Sequence, residues 1–351
     1  MKKMEEEARS FINVWLTVLA CVCYCYFVSS NLPPGKLRLF SLLPVFSLFA
    51  ALPLGLSTVL PTGVTAFFVT WLASFKLLLF SFGKGPLSSS PGSHPDPSKS
   101  LFLFILFTCF PIKVRQALDY PSPQTPKLPL NLPSKLLLFG ISILVHDHQD
   151  KLLLQGHPNL VLLLYSCMLY LYVDMIMGLS NAAARAVLGV ELQMPSDEPY
   201  LSTSLQDFWG RRWNLTVTNA LRHTVYKPLK SFLEPRLGAP WAPAAAAVMA
   251  AFLVSGLMHE LLYYYMVRAR PTWEVTVFFV LQGVCVVVEV AAKAAVGERW
   301  RLSRAVSTPL TVGFVAATAM WLFFPQLIRN GADVRAINEC KALVEWIKPK
   351  F

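Results

Sequence analysis

APAAAAVMAAFLVSGLMHELLYYYMV, residues 242–267, is apolar along its length except for a histidine and a glutamate set side by side at 259 and 260. A helix needs about 20 mostly apolar residues, rising about 1.5 Å each, to cross a bilayer, and this run meets that length. At that rise His259 lies about 6 Å along the axis from the middle of the run. A short imidazole at that depth does not reach the headgroups. Left facing lipid, an ionisable group there costs several kcal/mol, so such residues turn toward protein and are functional candidates by default. One stretch therefore sets both the fold class and the first question about function.

The rest of the chain agrees with it. Of 351 residues, 55% are hydrophobic and only 15% charged, where soluble domains are about a quarter charged. Apolar windows of spanning length recur at 11–28, 37–60, 64–82, 160–179, 242–267, 275–296 and 308–324. Two shorter ones, 101–114 and 135–145, have the length of re-entrant or buried segments. The expected fold is all-α, a polytopic transmembrane helical protein of about eight or nine membrane segments, with interfacial amphipathic helices and a buried reaction chamber. A single membrane-embedded domain is expected over residues 1–351. Pro44 and Pro53 interrupt the second window, which predicts a kinked helix or two short ones.

MKKMEEEARS at 1–10 leads into a long run of bulky residues without a small-residue cleavage site. An uncleaved first span is expected there rather than a secretory signal. The net charge of +11 fits lysines and arginines held on one membrane side and gives no reason to expect nucleic acid as a partner. Of seven cysteines, six (Cys21, Cys23, Cys25, Cys109, Cys167, Cys285) lie in apolar windows. They read as small buried hydrophobes rather than a disulfide framework. Cys21, Cys23 and Cys25 resemble a metal spacing, but residues two apart on a helix do not share a face.

SSSPGSHPDPSK at 88–99 and DYPSPQTPKLPLNLPSK at 119–135 are rich in Pro and Ser and are expected to be extra-membrane loops. No internal repeat is visible, which counts against transporter folds built from repeated halves. The amphipathic region at 197–240 interleaves Phe208, Trp209, Trp213, Leu221, Val225 and Phe232 with Arg211, Arg212, Arg222, Lys227 and Lys230. That mixture suits helices at the membrane interface, with Pro228 ending or kinking the second. Residues 330–351 are expected to form a soluble tail with a short helix packed on one membrane face.

Several chemistries compete for His259 and Glu260. The bland one is a hydrogen-bonded buried histidine with Glu260 paired to a distant base. A zinc hydrolase of the His-Glu-x-x-His type needs a second histidine at 263, and that position is Tyr263, so no metal is expected. Ser255 shares a face with His259, but Glu260 points about 100° away and no strand-turn-helix elbow surrounds the serine. HDHQD at 146–150, with His157 nearby, places His146 and His148 two apart at the end of an apolar run, where a helix end is more natural than a ligand set. A lone histidine can still act as a base near neutral pH. If the electrophile is already activated, as in a thioester, neither metal nor covalent intermediate is needed.

HELLYYY at 259–265, preceded by an amphipathic Asp-Phe-Trp…Trp-Asn segment, resembles the membrane-bound O-acyltransferase family. The subgroup it looks most like is the plant wax synthases, through WLASFKLLLFSFGKGPLS at 71–88, DEPYLSTSLQDFWGRRWNLTVTN at 197–219 and ARPTWEVTVFFVLQGVCVVVE at 269–289. The resemblance implies transfer of an acyl group from acyl-CoA to a long-chain fatty alcohol, giving a wax ester, in a multi-pass protein of the endoplasmic reticulum. It implies His259 as the membrane histidine, Asn214 as the family's asparagine and Glu260 as an assisting acid. His259 would take the hydroxyl proton, and Asn214 would position substrates or donate to the developing oxyanion. Asn214 would otherwise link or cap helices.

Asp207, Trp209 and Trp213 are expected to shape the substrate site, and Arg211 and Arg212 to meet the CoA phosphates or lipid headgroups. Membrane lipids are the surrounding partners, and acyl-CoA enters as co-substrate with no further cofactor. A sterol or diacylglycerol acceptor, or an acetyl-CoA donor, would use the same chemistry. A transporter using His259 and Glu260 as a proton relay is the rival of another class.

Overall fold

The computed structural model describes residues 2–88, 95–114, 132–148, 158–190, 192–297 and 302–347. The expected loop at 119–135 lies almost wholly outside them, as do His157 and part of each of 88–99 and 146–150. Among the described residues every regular element is helical, apart from one isolated bridge between Val114 and Leu192.

Among the described residues seven helices are long and apolar enough to cross a membrane: Glu5–Asn31, Lys36–Gly55, Val59–Ser81, Asn159–Leu188, Ala242–Val267, Glu274–Ala295 and Arg304–Arg329. They coincide with the seven full windows of the sequence. The two shorter windows, counted toward eight or nine segments, form helices of 9 residues (Leu101–Cys109) and 16 residues (Leu132–Asp147). Leu101–Cys109 is packed inside, with Phe104 and Phe107 buried. Leu132–Asp147 instead leaves Leu137 and Leu144 exposed. Outward-facing leucines and phenylalanines recur on the spans, Leu37, Phe40 and Leu310 among them. That is how a helix that is apolar all round meets lipid.

The chain forms two compact units. The first comprises residues 1–110, 219–291 and 325–351. Within it the second window is neither one helix nor two short ones of equal standing. The helix Lys36–Ala51 runs through Pro44, and a 3-10 turn at Leu52–Gly55 takes up Pro53 before a new helix starts at Val59.

Charges in this unit go largely to backbone ends. A bilayer supplies no water for the unpaired N–H and C=O groups at helix termini, so protein must. Glu7 accepts from the backbone N–H of Ser57 and Thr58, both at 2.9 Å. Glu339, on the tail helix Ala332–Ile347, accepts from Val59 and Leu60 at 2.7 and 2.8 Å. Arg268 donates to the carbonyls of Pro53 and Leu56 at 3.0 and 3.1 Å. Buried Lys76 donates to the carbonyls of Phe107 and Phe110, where the helix Leu101–Cys109 ends. In each helix-end case the charge has the sign that complements the macrodipole.

The spans Ala242–Val267 and Glu274–Val296 meet at two glycines. A Cβ on Gly256 would lie 2.9 Å from the Thr276 Cα, and one on Gly283 would lie 3.0 Å from the Phe252 Cβ. Small residues let the two backbones approach closely, the usual device where hydrophobicity cannot drive helices together in lipid.

The second unit comprises residues 111–218 and 292–324. Leu132–Asp147 packs on Pro158–Leu188, and a buried ion pair joins Lys135 to Asp174. Ser196 donates to the same Asp174 carboxylate. Asn181 donates to the Gln193 carbonyl at 3.1 Å, tying the long helix to the loop that precedes the tryptophan-asparagine motif. Pro228, back in the first unit, does not end its helix. A π turn at Arg222–Tyr226 runs without a break into Lys227–Leu233, so Pro228 stands inside a continuous helical run, and the wide turn just before it accommodates the bond that its missing N–H cannot make.

Candidate active site

His259 is half-buried on the span Ala242–Val267. Its Nδ1 lies 2.7 Å from the Ser255 carbonyl oxygen, one helical turn back. A carbonyl oxygen can only accept, so Nδ1 carries the hydrogen and the ring lone pair is on Nε2. The helix backbone itself thus fixes the tautomer. Aromatic rings flank the imidazole. Trp71 meets it edge-on, with centroids 5.0 Å apart at 86°, and Phe279 lies 4.4 Å away at 32°. Trp71 comes from a π-helical segment, Ala66–Ala73, inside the third span. Such wide turns recur at functional sites because they re-aim side chains.

Glu260 has a different task. Its Oε1 accepts from the backbone N–H and the hydroxyl of Thr276, both at 3.3 Å. Thr276 lies in the first turn of the Glu274–Val296 helix, so Glu260 caps that helix across the Gly256 contact and is buried in doing so. This is the structural side of the pair, with a helix terminus in the place of the distant basic residue that sequence offered. Removing it leaves two buried donors unpaired, at about 1–3 kcal/mol for such a group. We expect Glu260→Ala to lower thermal stability in detergent and Glu260→Gln, which retains an acceptor oxygen, to restore most of it. Equal melting of wild type and Glu260→Ala would rule out the capping role.

The remaining candidates belong to the second unit, where they form a local scaffold. Asp207 and Arg212 are ion-paired at 2.8 Å. Arg212 also donates to the Asp197 carbonyl at 3.1 Å, while the Asp197 N–H returns a bond to the Arg212 carbonyl at 2.9 Å. Arg212 is buried and is held by protein groups rather than presented to a phosphate. Arg211 is exposed. Trp213 stacks on Phe208 with centroids 5.6 Å apart at 11°, and Trp209 meets the same ring edge-on at 4.9 Å.

Asn214 stands at φ 39, a left-handed conformation that asparagine tolerates better than most residues. Its Oδ1 accepts from the Val217 N–H at 3.2 Å, an N-cap for the helix Leu215–Leu221. Capping was the plainer of its two expected roles. Tyr170 packs on Trp213 at 6.1 Å and on Tyr200 at 6.2 Å. Burial, and next the Glu198 carboxylate, push the Tyr200 hydroxyl up to about 12, so it stays protonated at any physiological pH.

His259 and Glu260 therefore fall in the first unit, and Asp207, Trp209, Arg211, Arg212, Trp213 and Asn214 in the second. Sequence reasoning missed Trp71, Phe279 and Thr276 as neighbours of the pair. They lie in quoted family-like stretches, but no spacing ties them to residue 259. His146 bonds Tyr165 at 3.1 Å and His148 bonds the Leu144 carbonyl at 3.0 Å, consistent with a helix end.

The described helices are those of a multi-pass membrane protein, with a histidine set between aromatic rings inside one span. Comparison with known proteins makes the class specific. Residues 194–281 match the model of the Membrane bound O-acyl transferase family. The chain is 44% identical to "Probable long-chain-alcohol O-fatty-acyltransferase 1" of Arabidopsis thaliana, over 98% of each chain. It is 44% identical to "Long-chain-alcohol O-fatty-acyltransferase" of Simmondsia chinensis, over 99% of this chain and 98% of that one. A further Arabidopsis thaliana relative, "Probable long-chain-alcohol O-fatty-acyltransferase 3", is 43% identical over 99% of this chain and 98% of its own. The chain belongs to the membrane-bound O-acyltransferase family and is an acyltransferase.

Proposed function

We propose that this acyltransferase moves a fatty acyl group from acyl-CoA to the hydroxyl of a long-chain alcohol, releasing wax ester and free CoA. The observation that carries the chemistry is the Nδ1–H bond of His259 to the Ser255 carbonyl, 2.7 Å, which puts the basic lone pair on Nε2. The names of relatives matched over nearly the whole chain supply the acceptor.

Nε2 takes the hydroxyl proton as the alcohol oxygen attacks the thioester carbon. The carbonyl electron pair moves to oxygen, then returns as the C–S bond breaks, and the imidazolium gives its proton to the departing thiolate. A thioester is activated enough that no covalent enzyme intermediate is required. The flanking Trp71 and Phe279 exclude water that would otherwise compete as acceptor.

In the first unit Glu260 holds the start of the Glu274–Val296 helix; in the second, separately, Asn214 caps the helix Leu215–Leu221 and Asp207 with Arg212 braces the tryptophan-asparagine loop. Trp209 and Trp213 give that loop its aromatic faces, and exposed Arg211 is the side chain offered to CoA phosphates or headgroups. Glu260 is already engaged as an acceptor at Thr276. As sequence neighbours His259 and Glu260 point about 100° apart on the helix, which favours a base working alone over a proton relay through both residues. The endoplasmic reticulum is the proposed location.

The test is an assay of membranes carrying the protein with labelled acyl-CoA against a panel of acceptors. Wax ester is expected with a long-chain alcohol, with one CoA thiol released per ester. A product pool dominated by sterol ester, triacylglycerol or acetyl ester would sink the acceptor or donor assignment.

A further inference from the structure

We propose that the indole N–H of Trp71 donates the hydrogen bond that stabilises the acyl oxygen as it becomes negative. The proposal rests on the acyl-transfer chemistry assigned to His259 above and names a second catalytic group for it.

Trp71 is 2% exposed, and its Nε1 is buried without a hydrogen-bond partner. Buried N–H groups are nearly always paired, so each one left over needs an explanation. Left unpaired, it loses its hydration with no bond in return, and a phenylalanine would fill much of the same space without that cost. Trp15, by contrast, donates its Nε1–H to the Thr65 hydroxyl at 3.3 Å. The unpaired indole is the one whose ring lies against His259, centroids 5.0 Å apart. Phe67 holds it from another direction, edge-on at 5.8 Å, and the π segment Ala66–Ala73 that carries it departs from a regular helix.

The chemistry needs such a group. When the alcohol oxygen bonds to the thioester carbon and its proton passes to Nε2, the carbonyl oxygen becomes an oxyanion bonded to that same carbon. A donor on a ring packed against the base is close to the carbon under attack, and so to the oxygen on which charge develops. An indole N–H donates only, and its proton is far too weakly acidic to pass to the base. In water-excluded surroundings a preorganised neutral dipole of this kind is worth more than in water. When the C–S bond breaks, the oxygen becomes the ester carbonyl, the hydrogen bond weakens and product is released.

The test uses the full chain in membranes. Trp71→Phe keeps the ring contact with His259 and removes the donor. We expect kcat to fall about 10²- to 10³-fold, the usual effect of losing one oxyanion donor, with KM for acyl-CoA little changed. Binding of an S-alkyl-CoA thioether, which lacks the carbonyl, should be the same in both proteins, whereas a packing defect would weaken it. A kcat within twofold of wild type overturns the proposal.

A second measurement needs no variant. With acyl-CoA labelled by ¹³C at the carbonyl and no alcohol present, the isotope-edited infrared stretch on wild type should lie below its position in hydrocarbon solvent. An unshifted stretch overturns the proposal even if Trp71→Phe does not accumulate. Full activity in Trp71→Phe beside an inactive His259→Gln refutes only the indole, whereas an active His259→Gln refutes the base on which it rests.

Discussion

Ester formation in isolated membranes is expected to fall at least about 10²-fold when His259 is replaced by alanine, the range in which a general base contributes. Alanine removes Nε2 and with it the acceptor for the hydroxyl proton, and nothing adjacent replaces it. Glu260 is committed to Thr276, and position 263 holds a buried tyrosine. Alanine also removes the imidazole from between Trp71 and Phe279, so a packing loss must be separated from a chemical one. His259→Gln fills much of the space and carries no base of comparable strength. Both variants should accumulate in the membrane, and both should lose kcat. Ester formation at the wild-type rate in either would end the general-base assignment.

Gly256→Ala is expected to damage the fold more than most single methyl additions do. The new Cβ would sit 2.9 Å from the Thr276 Cα, a backbone atom that has no rotamer by which to withdraw. Overpacking a well-filled contact costs about 1–3 kcal/mol. Here the displacement would also stretch the Glu260 cap, which bonds the same Thr276 across the same contact. Gly256→Leu should be worse, and protein recovery in detergent should drop with it. Gly313 supplies the control. It lies inside the helix Arg304–Thr318 with nothing within 4 Å of an added Cβ, so Gly313→Ala should be neutral or slightly stabilising. Equal thermal stability of Gly256→Ala and Gly313→Ala would show that the close approach does not matter.

Much of the architecture was legible because the rule behind it is local. Backbone groups in lipid must bond within their own helix, so a run of apolar residues declares a span without reference to its neighbours. The seven full windows became seven spanning-length helices, and the two short ones became short helices. Of the two prolines read as interruptions, Pro53 interrupts its helix and Pro44 does not. Pro44 is carried within a helix, whereas Pro53 falls in a 3-10 turn fixed by Arg268 from far along the chain.

The ionisable groups divide along the same line. Sequence alone set His259 inside a span and removed the two-histidine zinc motif through Tyr263, because both follow from position along one helix. That Glu260 caps the Thr276 helix, that Arg212 is held by Asp207, and that Glu339 closes the helix beginning at Val59 could not be read from spacing. Thr276 and Val59 lie on other helices, and Arg212 meets Asp207 only because a π turn brings residues five apart together; hydropathy says that a segment is buried without saying which segment it faces. Trp71 is the sharpest case: its apolar context marked it only as a spanning residue, and packing of the third span against the His259 helix set its indole beside the imidazole.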